Sequence, residues 1–313
     1  MTRRVPKWVW PLAQLAVAAA LLALLWSAAD GPAAARRLAN ADWLWLVLAV
    51  VALTVQTILS ALRWRLTAQQ LGLSFGSGHA IREYYLAQVV NQSLPGGMIG
   101  DAGRAYRARK QAGLLASGQA VVIERLVGQI AMFLTLAVAF CATSLVPGGL
   151  EWPRWLALPV SGFVLAGLIL PLLLWAATRV QGVTGRGAVS IWTALQKALG
   201  NRKVLPGQIT LSIGTTLCNL AAFAFCAQAV GVALSISAIA ALVPLILFTM
   251  LIPISVSGWG LREGAAAALL PLAGATASSG LASSVAFGLS FIVAVLPGLI
   301  FLRLKPRAAG IKL

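Results

Sequence analysis

Charge is what this sequence has least of. Only 10% of its 313 residues are Asp, Glu, Lys or Arg, where a soluble globular domain carries about a quarter. Acids are scarcest of all, seven against 24 Lys plus Arg, which leaves a formal net charge of +17. The one histidine, His79, excludes a histidine cluster for a metal. The three cysteines, Cys141, Cys218 and Cys226, have no metal-ligand spacing and form no CxxC pair, so each reads as a small buried hydrophobe. No GxxxxGK[ST] pattern is present, and nucleotide hydrolysis within this chain is not expected. Neither a metal nor a cofactor is expected.

What the sequence does have is apolar length. Hydrophobic residues make up 60% of it, in several continuous runs of roughly twenty, enough to cross a bilayer as helix. The runs do not alternate, which argues against a β-barrel. The fold expected is an all-α polytopic membrane protein, one transmembrane domain over residues 1–313. The bases gather between the apolar runs, as cytoplasmic loops facing anionic lipid should, so the positive charge does not point to nucleic acid.

Arg3, Arg4 and Lys7 precede a first run, Pro11 to Ala29, that lacks a convincing signal-cleavage site and reads as a retained span. Asp30 to Asp42 reads as an outer loop in which Arg36 and Arg37 balance two aspartates. Further spans are expected over Trp43–Leu62, Ser117–Cys141, Leu156–Thr178 (kinked at Pro159 or Pro171), Ile209–Val230, Ser235–Pro253, Leu261–Ala277 and Leu281–Leu302. Arg179 to Gln208 carries five bases and no acid, a cytoplasmic signal. About eight crossings with both termini cytoplasmic put every basic loop on the inner side of a bacterial inner membrane. The span Leu261–Ala277 is short and broken by Pro271.

Two stretches do not fit simple spans. Within residues 81–110, Ile81 to Leu94 offers about a dozen residues before Pro95-Gly96-Gly97, a re-entrant length. Residues 253–263, with Gly258-Trp259-Gly260, form a second broken-helix motif. Pro95, Gly100 and Arg104 stand at offsets of five and nine, as do Pro253, Gly258 and Arg262, which raises an internal repeat of the kind transporters use to place a substrate between two halves.

Three of the acids, Asp30, Asp42 and Glu151, fall in presumed outer loops. The other four each have an arginine adjacent or three residues away: Arg82-Glu83, Asp101 with Arg104, Glu124-Arg125 and Arg262-Glu263. Arg82-Glu83 reads as self-neutralising at the inner interface. Glu124-Arg125 lies roughly 10 Å inside its helix. A charge at the bilayer centre costs about 2.5–3.5 kcal/mol, and neighbours on a helix point apart, so at least one member needs another partner, which a re-entrant segment can supply. Amides at Gly96, Gly97 and Gly100 near a helix start would suit phosphate, with Arg104 forking onto the same oxygens. Asn91 and Gln92 are candidate hydrogen-bonding groups on a ligand path, although polar side chains in hydrocarbon also serve as helix-to-helix glue. Trp259 is either a site residue or an interface anchor.

These features together resemble the flippase-like family, also known as the lysylphosphatidylglycerol synthase transmembrane-region family. The likeness runs over nearly the whole chain. It is carried by Leu62-Arg63-Trp64, Asn91-Gln92-Ser93-Leu94-Pro95-Gly96-Gly97 with Gly100-Asp101 and Arg104, Glu124-Arg125, and Pro253 with Gly258-Trp259-Gly260-Leu261-Arg262-Glu263. The resemblance implies headgroup handling by Asp101, Arg104, Glu124, Arg125, Arg262 and Glu263. Members fused to an aminoacyltransferase domain move lysyl- or alanyl-phosphatidylglycerol across the bilayer, and related archaeal proteins are implicated with sugar-charged polyprenyl phosphates. This chain resembles the membrane part alone, so lipid aminoacylation is not carried over.

The expected function is therefore a flippase or transporter for an anionic or zwitterionic phospholipid or a polyprenyl-phosphate lipid. Arg104, Arg125 and Arg262 would form the phosphate pocket. Proton or ion coupling through the acids, a homodimer through small-residue faces and a separate lipid-modifying enzyme are the further partners entertained. Two alternatives stand beside it: a membrane enzyme on a lipid phosphate or glycan lipid with Asp101 or Glu124 as general base, and a non-transporting accessory protein of envelope assembly.

Overall fold

A computed structural model describes residues 9–94, 98–145, 150–252 and 254–303. Among them the chain is helical and has no strand: α1 (Val9–Ala28), α2 (Gly31–Ala39), α3 (Trp43–Gln70), α4 (Ser77–Ser93), α5 (Ile99–Leu145), α6 (Arg154–Ala177), α7 (Val183–Leu199), α8 (Leu205–Ala229), α9 (Ile236–Phe248), α10 (Leu261–Leu269), α11 (Ala277–Val295) and α12 (Pro297–Arg303). It is an all-α polytopic membrane protein. Five helices are long and apolar enough to cross a bilayer: α3, α5, α6, α8, and α11 continued through α12. The pair α1 and α2, bent by 94° at Ala29–Asp30, brings the number to six when counted as one broken span.

The sixth and seventh expected spans are the ones that fall short. Ile236–Leu251 is a shorter apolar helix. Its successor, α10, has nine residues and rises only roughly 14 Å, against a hydrocarbon core of about 30 Å. Pro271 then tightens the chain into a short 3₁₀ turn, Leu270–Ala273. Hydropathy cannot distinguish such half-length helices from spans, because both are equally apolar.

Two stretches expected as loops contain helices. Asp30, in the left-handed region at φ 51°, turns the chain and accepts from Ala33 N, which starts α2. Asp42 caps α3 by accepting from Leu44 N. The two aspartates read as balancing Arg36 and Arg37 are thus helix caps. The basic stretch 179–208 folds over much of its length as α7, whose Ala194 and Ala198 pack on Ile123 and Val127 of α5. α6 runs unbroken through Pro159 and Pro171.

Helices α3 and α8 run antiparallel in close contact: Asp42 N donates to Ala229 O at one end, and Gly214 and Gly207 lie against Leu59 and Leu66 further along. Small residues permit this approach, the usual basis of helix association in lipid. Around this pair stand two helical hairpins. In the first, α4 turns back into the start of α5. A Cβ on Gly100 would lie 2.0 Å from the Ala87 carbonyl oxygen, so only glycine allows the crossing. At the open end Ser74 N donates to Gln111 Oε1. α5 then breaks at Ala112 and Gly113 (φ 83°) before its long apolar part. In the second hairpin α9 continues into a 3₁₀ turn, Thr249–Leu251, and the turns of residues 254–260 lead into α10, which lies along α11 with Gly280 against the Ala266 carbonyl.

Candidate functional site

The largest ion-pair network among the described residues is built on Glu124, one turn before Gly128 on α5. Its Oε1 accepts from Arg63 Nη2 at 2.7 Å and its Oε2 from Arg104 Nη2 at 2.8 Å. Gly128 leaves the space that the Arg63 guanidinium fills; a Cβ there would stand 2.6 Å from Nη2. Arg63 Nη1 also donates to Thr215 Oγ1 of α8 at 2.9 Å. Arg104 Nε donates to Asp101 Oδ1 at 2.9 Å, and its guanidinium lies over Trp64 and Tyr84 at 4.8 and 4.5 Å from the ring centres. Arg125 pairs with Asp101 Oδ2. The two members of Glu124-Arg125 therefore do take different partners, and the first hairpin supplies both: Arg104 for one, Asp101 for the other.

Five charges from α3 and α5 thus share one network. Three guanidiniums against two carboxylates leave one excess positive charge. Glu124 and Arg104 are fully buried, and Asp101 nearly so. Arg125 is the accessible member, its side chain 31% exposed. Arg63 Nε, Arg104 Nη1 and Arg125 Nε are buried and have no hydrogen-bond partner among the described residues.

A cavity of about 230 Å³ opens beside this network. Its charged lining residues are Arg63, Glu124 and Arg125; amides from Gln88, Asn91 and Gln92 of α4, Gln129 of α5 and Asn219 of α8 complete most of the polar wall. The second hairpin reaches it through Met250, Leu251 and Ser257. There the hairpins touch: Ser257 Oγ donates to Gln92 Oε1 at 2.6 Å, across 165 positions of sequence.

The expected residues divide accordingly. Asn91, Gln92, Asp101, Arg104, Glu124 and Arg125 come together, with Asn91 Nδ2 donating to Asp101 Oδ2. Arg262, Glu263 and Trp259 form a separate assembly that does not line the cavity. Arg262 Nη2 lies 2.5 Å from Glu263 Oε1, Glu263 Oε2 accepts from Gly260 N, and Ser284 of α11 bridges the pair. Trp259 sits over Arg262 and against Gly288 rather than standing free as an anchor. The amide nest expected at the first glycines is not available at Gly100, because Gly100 N already donates to Asn91 Oδ1 at 2.8 Å. Gly96, Gly97, Pro95 and Pro253 lie outside the described residues. Glu83 also departs from expectation: it accepts from Arg107 at 2.5 Å, not from its neighbour Arg82.

The repeated spacing marks one shared device. Arg104 and Arg262 each lie in the first two turns of a helix after a break, buried at 0% and 1%, over two aromatic rings and on a carboxylate. Their glycines differ: Gly100 is helical, whereas Gly258 is a turn residue at φ 79°. Arg63 is the residue that sequence reasoning missed as a site member. Between Leu62 and Trp64-Arg65 it looks like a cytoplasmic boundary charge, and only the packing of α3 on α5 brings it to Glu124.

The sequence profile of the lysylphosphatidylglycerol synthase TM region matches residues 12–298. The chain belongs to this family. Membership in the lysylphosphatidylglycerol synthase transmembrane-region family ties this membrane protein to phospholipid handling. No curated protein and no solved structure matches the chain.

Proposed function

We propose that this protein is a lipid flippase that captures the phosphate of an anionic lipid headgroup, of the phosphatidylglycerol or polyprenyl-phosphate type, at Arg63 and Arg125 and passes it between the two sides of the membrane. The observation that carries this reading is the net excess of one positive charge, three guanidiniums sharing two carboxylates beside a polar cavity. A net charge in such a setting is costly, and an anion relieves it. Guanidinium forks suit phosphate oxygens, and the Arg125 side chain, 31% exposed, is the accessible one of the three. Arg104 holds Glu124 and Asp101 in place without lining the cavity. Both carboxylates are occupied by two arginines each, which favours binding over general-base chemistry and favours an anionic headgroup over an aminoacylated, cationic one.

The distribution of bases supports an orientation with both termini cytoplasmic in the inner membrane. In that orientation the first hairpin, with Arg107, Arg109 and Lys110 toward its open end, enters from the cytoplasmic side. The second enters from the opposite side, and the tips meet at Gln92 and Ser257. Such paired half-helices around a midplane site are a recurrent transporter arrangement.

The test is lipid retention by the purified protein, read by native mass spectrometry. Wild type is expected to keep phosphatidylglycerol in preference to phosphatidylcholine and lysylphosphatidylglycerol. Arg125→Ala should lose that preference at least about tenfold, since a charge-assisted contact is worth roughly 1.5–3 kcal/mol. Equal retention by the variant removes the assignment.

A further inference from the structure

A second, almost wholly apolar groove of about 710 Å³ runs between α5 and α8. Ile130 and Leu134 form one wall, Ile213 and Leu217 the other, and each is about half exposed at the protein's outer face. Three observations distinguish it from ordinary lipid-facing surface. Thr216 lines both this groove and the polar cavity, so the two spaces share a wall. Ser212 and Gln208, 4% and 1% exposed, border the groove, and Ser212 Oγ and Gln208 Oε1 have no partner among the described residues. Its wall on α5, from Val127 to Ala139, rises roughly 18 Å, close to the ~15 Å of one leaflet's hydrocarbon.

We infer that this groove seats one acyl chain of the same lipid whose phosphate occupies the cavity, making the gap between α5 and α8 the lateral portal of the site. The inference rests on the headgroup reading above. A lipid bound there keeps its tail in hydrocarbon while its headgroup reaches Arg125 past Thr216, and the Ser212 hydroxyl is placed to donate to an ester carbonyl at the junction. Neither end of the lipid then has to be buried in an environment of the wrong polarity.

The experiment uses the purified full chain in phosphatidylcholine nanodiscs containing phosphatidylglycerol with a photoactivatable diazirine on one acyl chain. Label is expected to concentrate on peptides of α5 and α8 over those of α6, whose exposed surface reports ordinary annular lipid. Ile213→Trp fills the groove without touching the polar cavity, and should lower that labelling about tenfold, the scale of an overpacking penalty. Glycerophosphoglycerol, the headgroup without tails, is titrated in parallel and should bind wild type and Ile213→Trp alike. If it binds both while labelling spreads evenly over α5, α6 and α8, or survives Ile213→Trp, the portal is wrong and the headgroup site stands. If glycerophosphoglycerol fails to bind wild type, the headgroup site fails and the portal falls with it.

Discussion

Glu124→Ala is expected to be the most destabilising single substitution in this protein. The carboxylate joins α3 to the first hairpin through Arg63 and Arg104, and is itself fully buried. Its removal leaves two guanidiniums facing one another with a single acid, Asp101, among three bases. Breaking a buried ion pair by deleting one partner costs roughly 3–5 kcal/mol, a large share of the roughly 5–15 kcal/mol that holds a folded domain together. Arg104→Met should cost less, because Glu124 keeps Arg63 and Asp101 keeps Arg125. Denaturant unfolding of the detergent-solubilised variants checks the order: Glu124→Ala below Arg104→Met below wild type. A Glu124→Ala protein as stable as wild type would mean that the network does not hold the helices together.

The second large effect concerns the contact between hairpin tips. At about 230 Å³ the polar cavity is smaller than the ~300–1,000 Å³ of typical ligand sites, so under the proposed function a lipid headgroup would enter only if the tips parted. The side chains of Gln92 and Ser257 meet directly at that point. Cysteines at these two positions, in a chain with Cys141, Cys218 and Cys226 replaced, are expected to join through a short bifunctional thiol reagent. Lipid movement in vesicles should then fall to the protein-free rate, while each single cysteine variant treated the same way keeps it. Undiminished movement in the joined protein would separate the tips from the path.

How much of this was legible beforehand follows from what hydropathy and charge can encode. The long helices α3, α5, α6, α8 and α11 announce themselves as apolar runs, and the acids stand out because so few exist. Glu124 was readable as a charge that needs a partner from elsewhere, since its depth along an apolar helix is a matter of counting residues. Its actual partners were only half readable. Arg104 and Asp101 carry their glycine-rich surroundings as a signal, whereas Arg63 is disguised by Trp64-Arg65 as an interfacial base. Which arginines share a cavity depends on which helices are neighbours, and local pattern does not encode that. Local pattern therefore groups Arg262 with the pocket, whereas in the structure it is satisfied by the adjacent Glu263 and by Ser284 of α11. α2 and α7 were missed for a different reason: short helices starting beside Gly, Asp or Thr and carrying bases look like loops until their packing is seen.

Under the proposed function, lipid movement depends on Arg125, the exposed arginine of this network. The direct measurement is the rate at which dithionite bleaches fluorescent headgroup-labelled phosphatidylglycerol in vesicles containing the purified protein. Wild type is expected to expose inner-leaflet lipid far faster than protein-free vesicles, and Arg125→Ala, reconstituted to the same level and with the same unfolding midpoint, to lose that acceleration. Equal rates for Arg125→Ala and wild type, or no acceleration by wild type, would contradict it.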